Sequence, residues 1–184
     1  QFVFFFLTEQ VKELWSAVSH PFYVRDPTPG AFEELLQIQR EKVQICKHFN
    51  IDFPPEWELV IVVDDCGAFP TFLRSKVLSV ISSNGRNEHI TFITLIQKWT
   101  QLDPTSRDNA TTFIGMRTEK AQTVSTINKD FASSANKERF QAIYTATTSG
   151  NKALCINCGA DDPDELLYVT HAKLLHPDGH EAIA

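Results

Sequence analysis

The sequence predicts an α/β fold, namely a three-layer, doubly wound, mostly parallel sheet of the Rossmann-like type with an N-terminal helical extension. Two observations predict it. Apolar runs of strand length recur along the chain, and segments with helical periodicity lie between them. Strands of a parallel sheet are buried on both faces and therefore read as continuous apolar runs. The alternation of the two patterns favours parallel strands joined by helices.

Five apolar segments are the predicted strands. They are FVFFFL at 2–7, LVIVV at 59–63, ITFITLI at 90–96, ALCI at 153–156 and EAIA at 181–184. The polar segment 97–109, which follows the third of them, fits a loop or an edge hairpin.

Helix-start signals predict the connecting helices. Thr28 and Pro29 form an N-cap followed by proline in the first turn, which predicts a helix to about residue 48. Further helices are predicted over about 71–82 and about 134–147. The acidic run 162–165, DPDE, has the form of an N-cap, a proline and an acidic first turn, and predicts a last helix through about residue 175.

Length and composition indicate one globular domain with an extension. The chain has 184 residues, of which 42% are hydrophobic and 22% are charged. We expect residues 1–55 to form an N-terminal strand plus a helical extension, and residues 56–184 to form the α/β domain. The sequence leaves open whether that domain is truncated at its C-terminus.

The charge and hydropathy of the chain exclude some partners. The formal net charge is −6, which gives no electrostatic reason to expect nucleic acid as a partner. The apolar run at 2–7 is far too short to span a bilayer, so we expect no membrane span and a soluble chain. The sequence does not distinguish the cytoplasm from the secretory pathway, where the Asn109 sequon would be a glycosylation acceptor.

Two of the strand ends resemble the von Willebrand factor A domain. ELVIVVDDCGA, at 58–68, is similar to the family's first strand, which ends in D-x-S-x-S. ALCINCGADDPDEL, at 153–166, is similar to a later strand that ends in T-D-G, and Ser133 and Ser134 fall where the family has a metal-binding threonine loop. The resemblance implies a protein-interaction module with a protein partner.

The family's adhesion site holds a divalent cation, Mg²⁺ or Mn²⁺, through hydroxyl and carboxylate oxygens. The resemblance assigns these binding residues: Asp64, Asp65, Cys66, Ser133, Ser134, Cys158 and Asp161. Within that set, Asp64 and Asp161 are the metal candidates. Because Cys66 and Cys158 stand where the family has a serine and an aspartate, the predicted adhesion site is degenerate, and a metal-free module is compatible with it.

The same resemblance brings Cys66 and Cys158 to the ends of neighbouring strands. Three interpretations follow: a disulfide, a soft metal shared with Asp64, or two small buried thiols. Burial without chemistry is the favoured interpretation, because cysteine is among the most frequently buried residues.

A second resemblance gives the alternative function. WELVIVVDDC, at 57–66, resembles the nucleotide-binding strand of inverting family-2 glycosyltransferases with the GT-A fold. The later Asp161 and Asp162 resemble their D-x-D metal motif. This alternative implies a nucleotide-sugar-dependent glycosyltransferase, with Asp65 at the nucleotide and Asp161 or Asp162 at the metal. Neither resemblance identifies a catalytic residue.

Overall fold

The chain consists of two compact units. The computed structural model describes residues 2–6, 13, 24–131, 137–150, 152–158 and 167–171. The units are Gln1–Asn109 and Ala110–Ala184. This division differs in position from the predicted boundary after residue 55, because the first predicted strand pairs with the second in one sheet.

A four-stranded parallel sheet forms the first unit. Its strands are β1 (Phe2–Phe6), β2 (Val24–Arg25), β3 (Leu59–Asp64) and β4 (Ile90–Leu95). They lie in the order β2-β1-β3-β4, and every neighbouring pair is parallel. The predicted α/β class and parallel pairing are confirmed here, whereas the short strand β2 was not predicted.

Helices within the described range 24–131 connect and flank these strands. They are α1 (Pro29–Phe49), α2 (Pro70–Leu73), α3 (Lys76–Asn84) and α4 (Pro104–Asp108). Helix α1 begins as predicted, since the Thr28 hydroxyl accepts a hydrogen bond from the Ala31 amide at 3.3 Å. The single helix expected over 71–82 is two helices, because Ser75 adopts an extended conformation (φ −70°, ψ 147°) between them.

Segment 97–109 contains two short helical stretches joined by irregular residues, so the edge hairpin does not form and the predicted loop holds only in part. Trp99–Gln101 forms a 3-10 turn, and α4 follows it. The Asp103 carboxylate caps α4 by accepting from the Ser106 amide at 3.2 Å, and Pro104 occupies the first turn. An Asp-Pro start signal was therefore present in the sequence.

Aromatic packing fixes α1 over the parallel sheet. The Phe32 ring of α1 stacks on Phe5 of β1 at 4.2 Å between centroids and lies 4.9 Å from Phe72 and 6.4 Å from Phe92. Rings of this size dominate core energetics through their buried area. Because β3 lies in the middle of the sheet, its residues Ile61 and Val63 are fully buried. The sheet core therefore holds the carboxyl end of β3 in a fixed place.

An antiparallel sheet forms the second unit. Its strands are β5 (Thr112–Gly115), β6 (Lys152–Asn157) and β7 (Leu167–His171), in that order. Its helices are α5 (Ala121–Phe131) and α6 (Lys137–Thr147). The Tyr144 hydroxyl of α6 donates to the Met116 carbonyl at 2.8 Å and ties that helix to the end of β5. Strand β6 and helix α6 agree with the predicted segments, whereas β5 and α5 were not predicted.

The helix predicted to begin at the acidic run is wrong where the structure describes that region. Residues Leu167–His171 form β7, which pairs antiparallel with β6 along its length. The segment LYVTH has aromatic and β-branched residues that favour strands, and the ladder with β6 outweighs the capping signal before it. The acidic run 162–165 and the last predicted strand, 181–184, lie outside the described residues.

The von Willebrand A arrangement does not occur. It requires segments 59–63 and 153–156 to be parallel strands of one sheet, whereas β3 and β6 belong to different sheets. Strand β6 is also antiparallel to both of its neighbours. Helices on both faces of the parallel sheet stay a prediction. None of the helices among the described residues has the length and apolar character needed to cross a membrane.

Candidate functional site

The acidic turn, residues 64–68, is the candidate site. Asp64 is the last residue of β3, Asp65 adopts a left-handed conformation (φ 50°, ψ 30°), and Cys66–Ala68 forms a short 3-10 turn. In open α/β sheets ligands bind beyond the carboxyl ends of the strands. The turn therefore places two carboxylates at the edge of the sheet where a ligand is expected.

The end of β4 orients Asp65. The Asp65 amide donates to the Leu95 carbonyl at 3.2 Å, and the Asp65 Oδ1 accepts from the Gln97 Nε2 at 3.1 Å. A residue other than glycine rarely adopts positive φ, and aspartate is among those that tolerate it. The two hydrogen bonds thus hold an uncommon backbone conformation and aim its carboxylate.

A second glutamine contacts the same turn. Gln101 donates from Nε2 to the Gly67 carbonyl at 3.2 Å and accepts at Oε1 from the Lys98 amide at 3.2 Å. A Cβ atom at residue 67 would lie only 2.6 Å from Gln101 Nε2. Glycine is therefore the residue that fits here without moving the glutamine.

Cys66 supports the turn from inside. Its buried thiol donates to the Asp64 carbonyl at 3.3 Å and lies 3.7 Å from the Phe5 carbonyl of β1. Burial, followed by the nearby charges of Asp64 and Asp65, raises the pKa of the Cys66 thiol to about 12. A thiol must lose its proton to act as a nucleophile or a metal ligand. Cys66 therefore acts as a hydrogen-bonding core residue.

The structure brings together only part of the predicted set. Asp64, Asp65 and Cys66 share the acidic turn, whereas Cys158 lies in the second unit and is exposed. Both thiols are free, so the disulfide that was one of the three interpretations does not form, and of the two buried thiols that were favoured only Cys66 is buried. The other predicted residues lie outside the described part of the chain: Ser133, Ser134, Asp161 and Asp162. Among the residues that the structure describes, no group of three or more His, Cys, Asp or Glu side chains could hold a metal ion.

Sequence reasoning missed Gln97, Gln101 and Gly67. Gln97 follows the apolar run at 90–96 directly. Ligands of open α/β sheets bind beyond the carboxyl ends of the strands, so the residue after 90–96 is a candidate in the same way as the residues after 59–63 and 153–156. Gln101 and Gly67 carry no comparable signal, because their contact depends on the chain path after β4.

The comparison with protein families identifies the chain's relatives. The model of the poxvirus A32 protein matches residues 9–158, which is more than half of the chain. This chain belongs to the poxvirus A32 protein family. The matched range contains the whole acidic turn and both glutamines. A search of curated proteins finds no match.

Solved structures with a similar fold are viral packaging NTPases. The genome packaging NTPase B204 from Sulfolobus turreted icosahedral virus 2, in complex with ATP-γS, superposes with a TM-score of 0.58 at 15% identity, covering 92% of this chain and 80% of that chain. Its AMPPCP complex gives 0.55 at 15% identity, with 84% and 68% covered. The DNA-packaging ATPase B204 from Sulfolobus turreted icosahedral virus gives 0.57 at 13% identity, with 92% and 82% covered. At these identities the likeness establishes the fold alone.

These findings correct the predictions of identity and function. The chain is a member of the poxvirus A32 family, so the von Willebrand A module with a degenerate adhesion site and the alternative glycosyltransferase are both wrong. The nucleotide-sugar partner, the protein partner of an adhesion module and the exclusion of nucleic acid are wrong with them. An apolar strand ending in Asp-Asp is common to several α/β folds. Strand order and pairing distinguish these folds, and a short motif does not encode them.

Proposed function

We propose that this chain is part of a viral genome-packaging ATPase and that the acidic turn forms one side of its nucleotide site. The observation that carries the proposal is the position of Asp64 and Asp65. Asp64 ends β3, an interior strand of the parallel sheet, and Asp65 follows it directly. The chain is a poxvirus A32 family member whose fold is similar to NTPases solved with ATP analogues.

The chemistry of the turn fits a nucleotide with its cation. Magnesium in such sites is held by one or two carboxylates together with substrate phosphates and waters, and needs no all-protein cage. Asp64 would hold the cation through its carboxylate oxygens, and Asp65 follows it directly in the turn. The cation would supply positive charge that stabilises the negative charge developing on the phosphates.

The two carboxylates take different roles in the proposal. Asp64, as the last residue of β3, is assigned to the cation and its water shell. Asp65, which Gln97 holds at 3.1 Å, is assigned to orienting the attacking water and accepting its proton. Cys66 offers no competing nucleophile, since its pKa of about 12 keeps the thiol protonated.

The proposal assigns only the acidic side of the nucleotide site to these residues. P-loop NTPases cradle the phosphates with a G-x-x-x-x-G-K-S/T loop. None of the seven glycines in the 184 residues is followed by lysine, so that motif does not occur in them.

The excess of Lys and Arg in residues 110–158 supports DNA as the cargo, although the net charge of the whole chain does not. Between residues 110 and 158 there are six Lys and Arg and three Asp and Glu, a balance of 6 − 3 = +3, although the whole chain carries −6. All six cations are exposed: Arg117, Lys120, Lys129, Lys137, Arg139 and Lys152. Contacts of Lys and Arg with phosphates provide the sequence-independent part of DNA binding. We assign this part of the second unit to the DNA backbone.

The test is ATP hydrolysis by the full-length protein with magnesium, in the presence and absence of double-stranded DNA. We expect Asp65→Asn and Asp64→Asn each to lower kcat by about 100-fold or more, as loss of a group that acts on the reacting atoms does. Glu119→Gln is the matched control, because its carboxylate is exposed in the second unit and forms an ion pair with exposed Arg117. Wild-type protein without ATPase activity, or Asp65→Asn with unchanged kcat, would overturn the proposal.

A further inference from the structure

We propose that Gln101 is a positioning residue, which keeps the acidic turn in the geometry that hydrolysis requires. The inference rests on the proposed function, because it concerns the same site. The two hydrogen bonds described for the Gln101 carboxamide go to backbone atoms, the Gly67 carbonyl and the Lys98 amide. Gln101 acts through the backbone of Gly67, two residues after Asp65.

The Gln101 carboxamide joins two loops. Its Nε2 donates to the Gly67 carbonyl in the loop after β3, and its Oε1 accepts from the Lys98 amide in the loop after β4. Each end of the carboxamide therefore has a backbone partner in a different loop. A side chain of another length or polarity cannot make both hydrogen bonds at once.

Two buried residues anchor the segment that carries Gln101. Gln101 ends the 3-10 turn Trp99–Gln101, whose Trp99 is 8% exposed, and the following Leu102 is 5% exposed. The Arg74 guanidinium also donates to the Thr100 carbonyl at 3.5 Å. Groups that hold a catalytic side chain are effective when packing locks their own conformations.

Glycine at residue 67 allows this contact. The Gln101 amide group lies over the Gly67 Cα so closely that a Cβ would meet its Nε2 at 2.6 Å and its Cδ at 3.1 Å. Backbone conformation does not explain why residue 67 is glycine, because Gly67 is not among the residues with positive φ. The close approach of Gln101 explains it instead. Gly67 and Gln101 are thus complementary in shape, and a change at either one displaces the other.

The contact between Gln101 and Gly67 stabilises the left-handed conformation of Asp65. That conformation is unfavourable for a residue with a side chain and persists where the surroundings determine it. The Leu95 carbonyl and Gln97 hold Asp65 from the β4 side, and Gln101 holds the following turn at Gly67. With Gln101 removed, the turn after Asp65 loses its tie to the β4 loop, and the Asp65 carboxylate samples other directions.

The test compares three variants of the full-length protein in steady-state ATP hydrolysis with magnesium. Gln101→Met keeps the length and packing of the side chain and removes both hydrogen bonds. Gln101→Glu keeps an acceptor for the Lys98 amide and removes the donor to the Gly67 carbonyl. Gln37→Met is the matched control, because Gln37 is an exposed glutamine of α1 whose side chain donates to Glu41 within the same helix.

We expect both Gln101 variants to lower kcat by about 10- to 100-fold, the range seen when outer contacts of a catalytic group are removed. The KM for ATP and the magnesium concentration for half-maximal activity should each change less than about threefold, because the proposal assigns the cation to Asp64 and the attacking water to Asp65. Gln37→Met should match the wild type. The thermal unfolding midpoint and the folded fraction of each variant are measured beside kcat, so that a loss of stability is separated from a loss of positioning.

A double-mutant cycle with Gly67→Ala tests the contact itself. Residues in contact give non-additive effects. The kcat of the double variant Gly67→Ala, Gln101→Met should therefore be little lower than the kcat of the poorer single variant. If the wild type hydrolyses ATP and both folded Gln101 variants retain its kcat, the positioning role is overturned while the proposed function stands. If the wild type hydrolyses no ATP, the proposed function fails and this role fails with it.

Discussion

The two units of this chain differ in the direction of their strands, and that difference decides which of them carries the candidate site. In the parallel sheet of the first unit, the carboxyl ends of β3 and β4 lie side by side, which brings Asp65 within 3.1 Å of Gln97. In the antiparallel sheet of the second unit, neighbouring strands end at opposite edges. A cluster of strand-end side chains forms in the first case and not in the second.

Burial differs between the units in the same way. Strand β3 lies in the middle of its sheet, where Ile61 is fully buried. Strand β5 is at the edge of its sheet, and its Ile114 is 61% exposed. The thiols follow this contrast, since Cys66 is buried in the acidic turn and Cys158 is exposed after β6. The same residue type therefore has different chemistry in the two units.

The largest expected contrast is in thiol reactivity. With a pKa of about 12, Cys66 is ionised in roughly one molecule in ten thousand at pH 8, and burial blocks reagents as well. Cys158 is exposed, although partial burial raises the pKa of its thiol too. We expect a maleimide to modify Cys158 first in the folded protein, as peptide mass spectrometry would show. Cys158→Ser is the control and should abolish the fast adduct, whereas fast modification of Cys66 would contradict the structure.

The raised pKa of Cys66 also predicts how the free energy of unfolding changes with pH. A raised folded-state pKa means that the folded protein holds the proton more tightly than the unfolded chain does. The contribution of Cys66 to stability is therefore fully present below the pKa of an unfolded thiol, about 8.5, and is lost as the pH rises towards about 12. The difference in unfolding free energy between wild type and Cys66→Ala, followed from pH 8 to 11, should decrease.

The second contrast is in stability. Ile61→Ala leaves a cavity at the centre of the parallel sheet and should lower the free energy of unfolding by about 2–5 kcal/mol. Ile114→Ala removes an exposed side chain from an edge strand and should lower it by less than about 1 kcal/mol. Urea denaturation of both variants provides the measurement. Equal losses would mean that β5 is buried in the protein as it exists in solution.

The smallest contrast is at two left-handed residues. Asn50 ends α1 with φ 50°, and Gly150 follows α6 with φ 65°. Asn50→Gly should stabilise the first unit by about 0.5 kcal/mol, because glycine adopts this conformation without strain. Gly150→Ala should destabilise the second by about 1 kcal/mol, although no atom within 4 Å of the new Cβ would clash. Thermal unfolding would detect shifts of opposite sign, and shifts of the same sign would refute the comparison.

Much of the fold could be predicted from local patterns. The apolar runs located β1, β3, β4 and β6 within a few residues, and Thr28-Pro29 located the start of α1. Local patterns failed where long-range pairing decided the outcome. Segment 167–171 followed a strong capping signal and nevertheless became β7, because its backbone groups pair with β6. Part of segment 97–109 became helical through an Asp103-Pro104 signal that its polar composition obscured.

The candidate site was predicted in part for a similar reason. Asp64 and Asp65 stand at a strand end in the sequence itself, so the rule for α/β sheets found them. Their function was then taken from families that share the short motif. The exclusion of nucleic acid came from the net charge of −6, which combines −4 over residues 1–109, +3 over 110–158 and −5 over 159–184. Neither inference used the order of the strands.

The sequence by itself determined the α/β class, the parallel-type strands of the first unit and the carboxylates that end β3. Only the tertiary structure decided that β6 is antiparallel and in a second sheet, and that Gln97 and Gln101 close on the acidic turn. The physical reason is the range of the interactions. Burial and capping act within a few residues and leave a trace in the sequence. The pairing of β5 with β6 and the contact between Gln101 and Gly67 join residues more than 30 positions apart, and no local pattern records them.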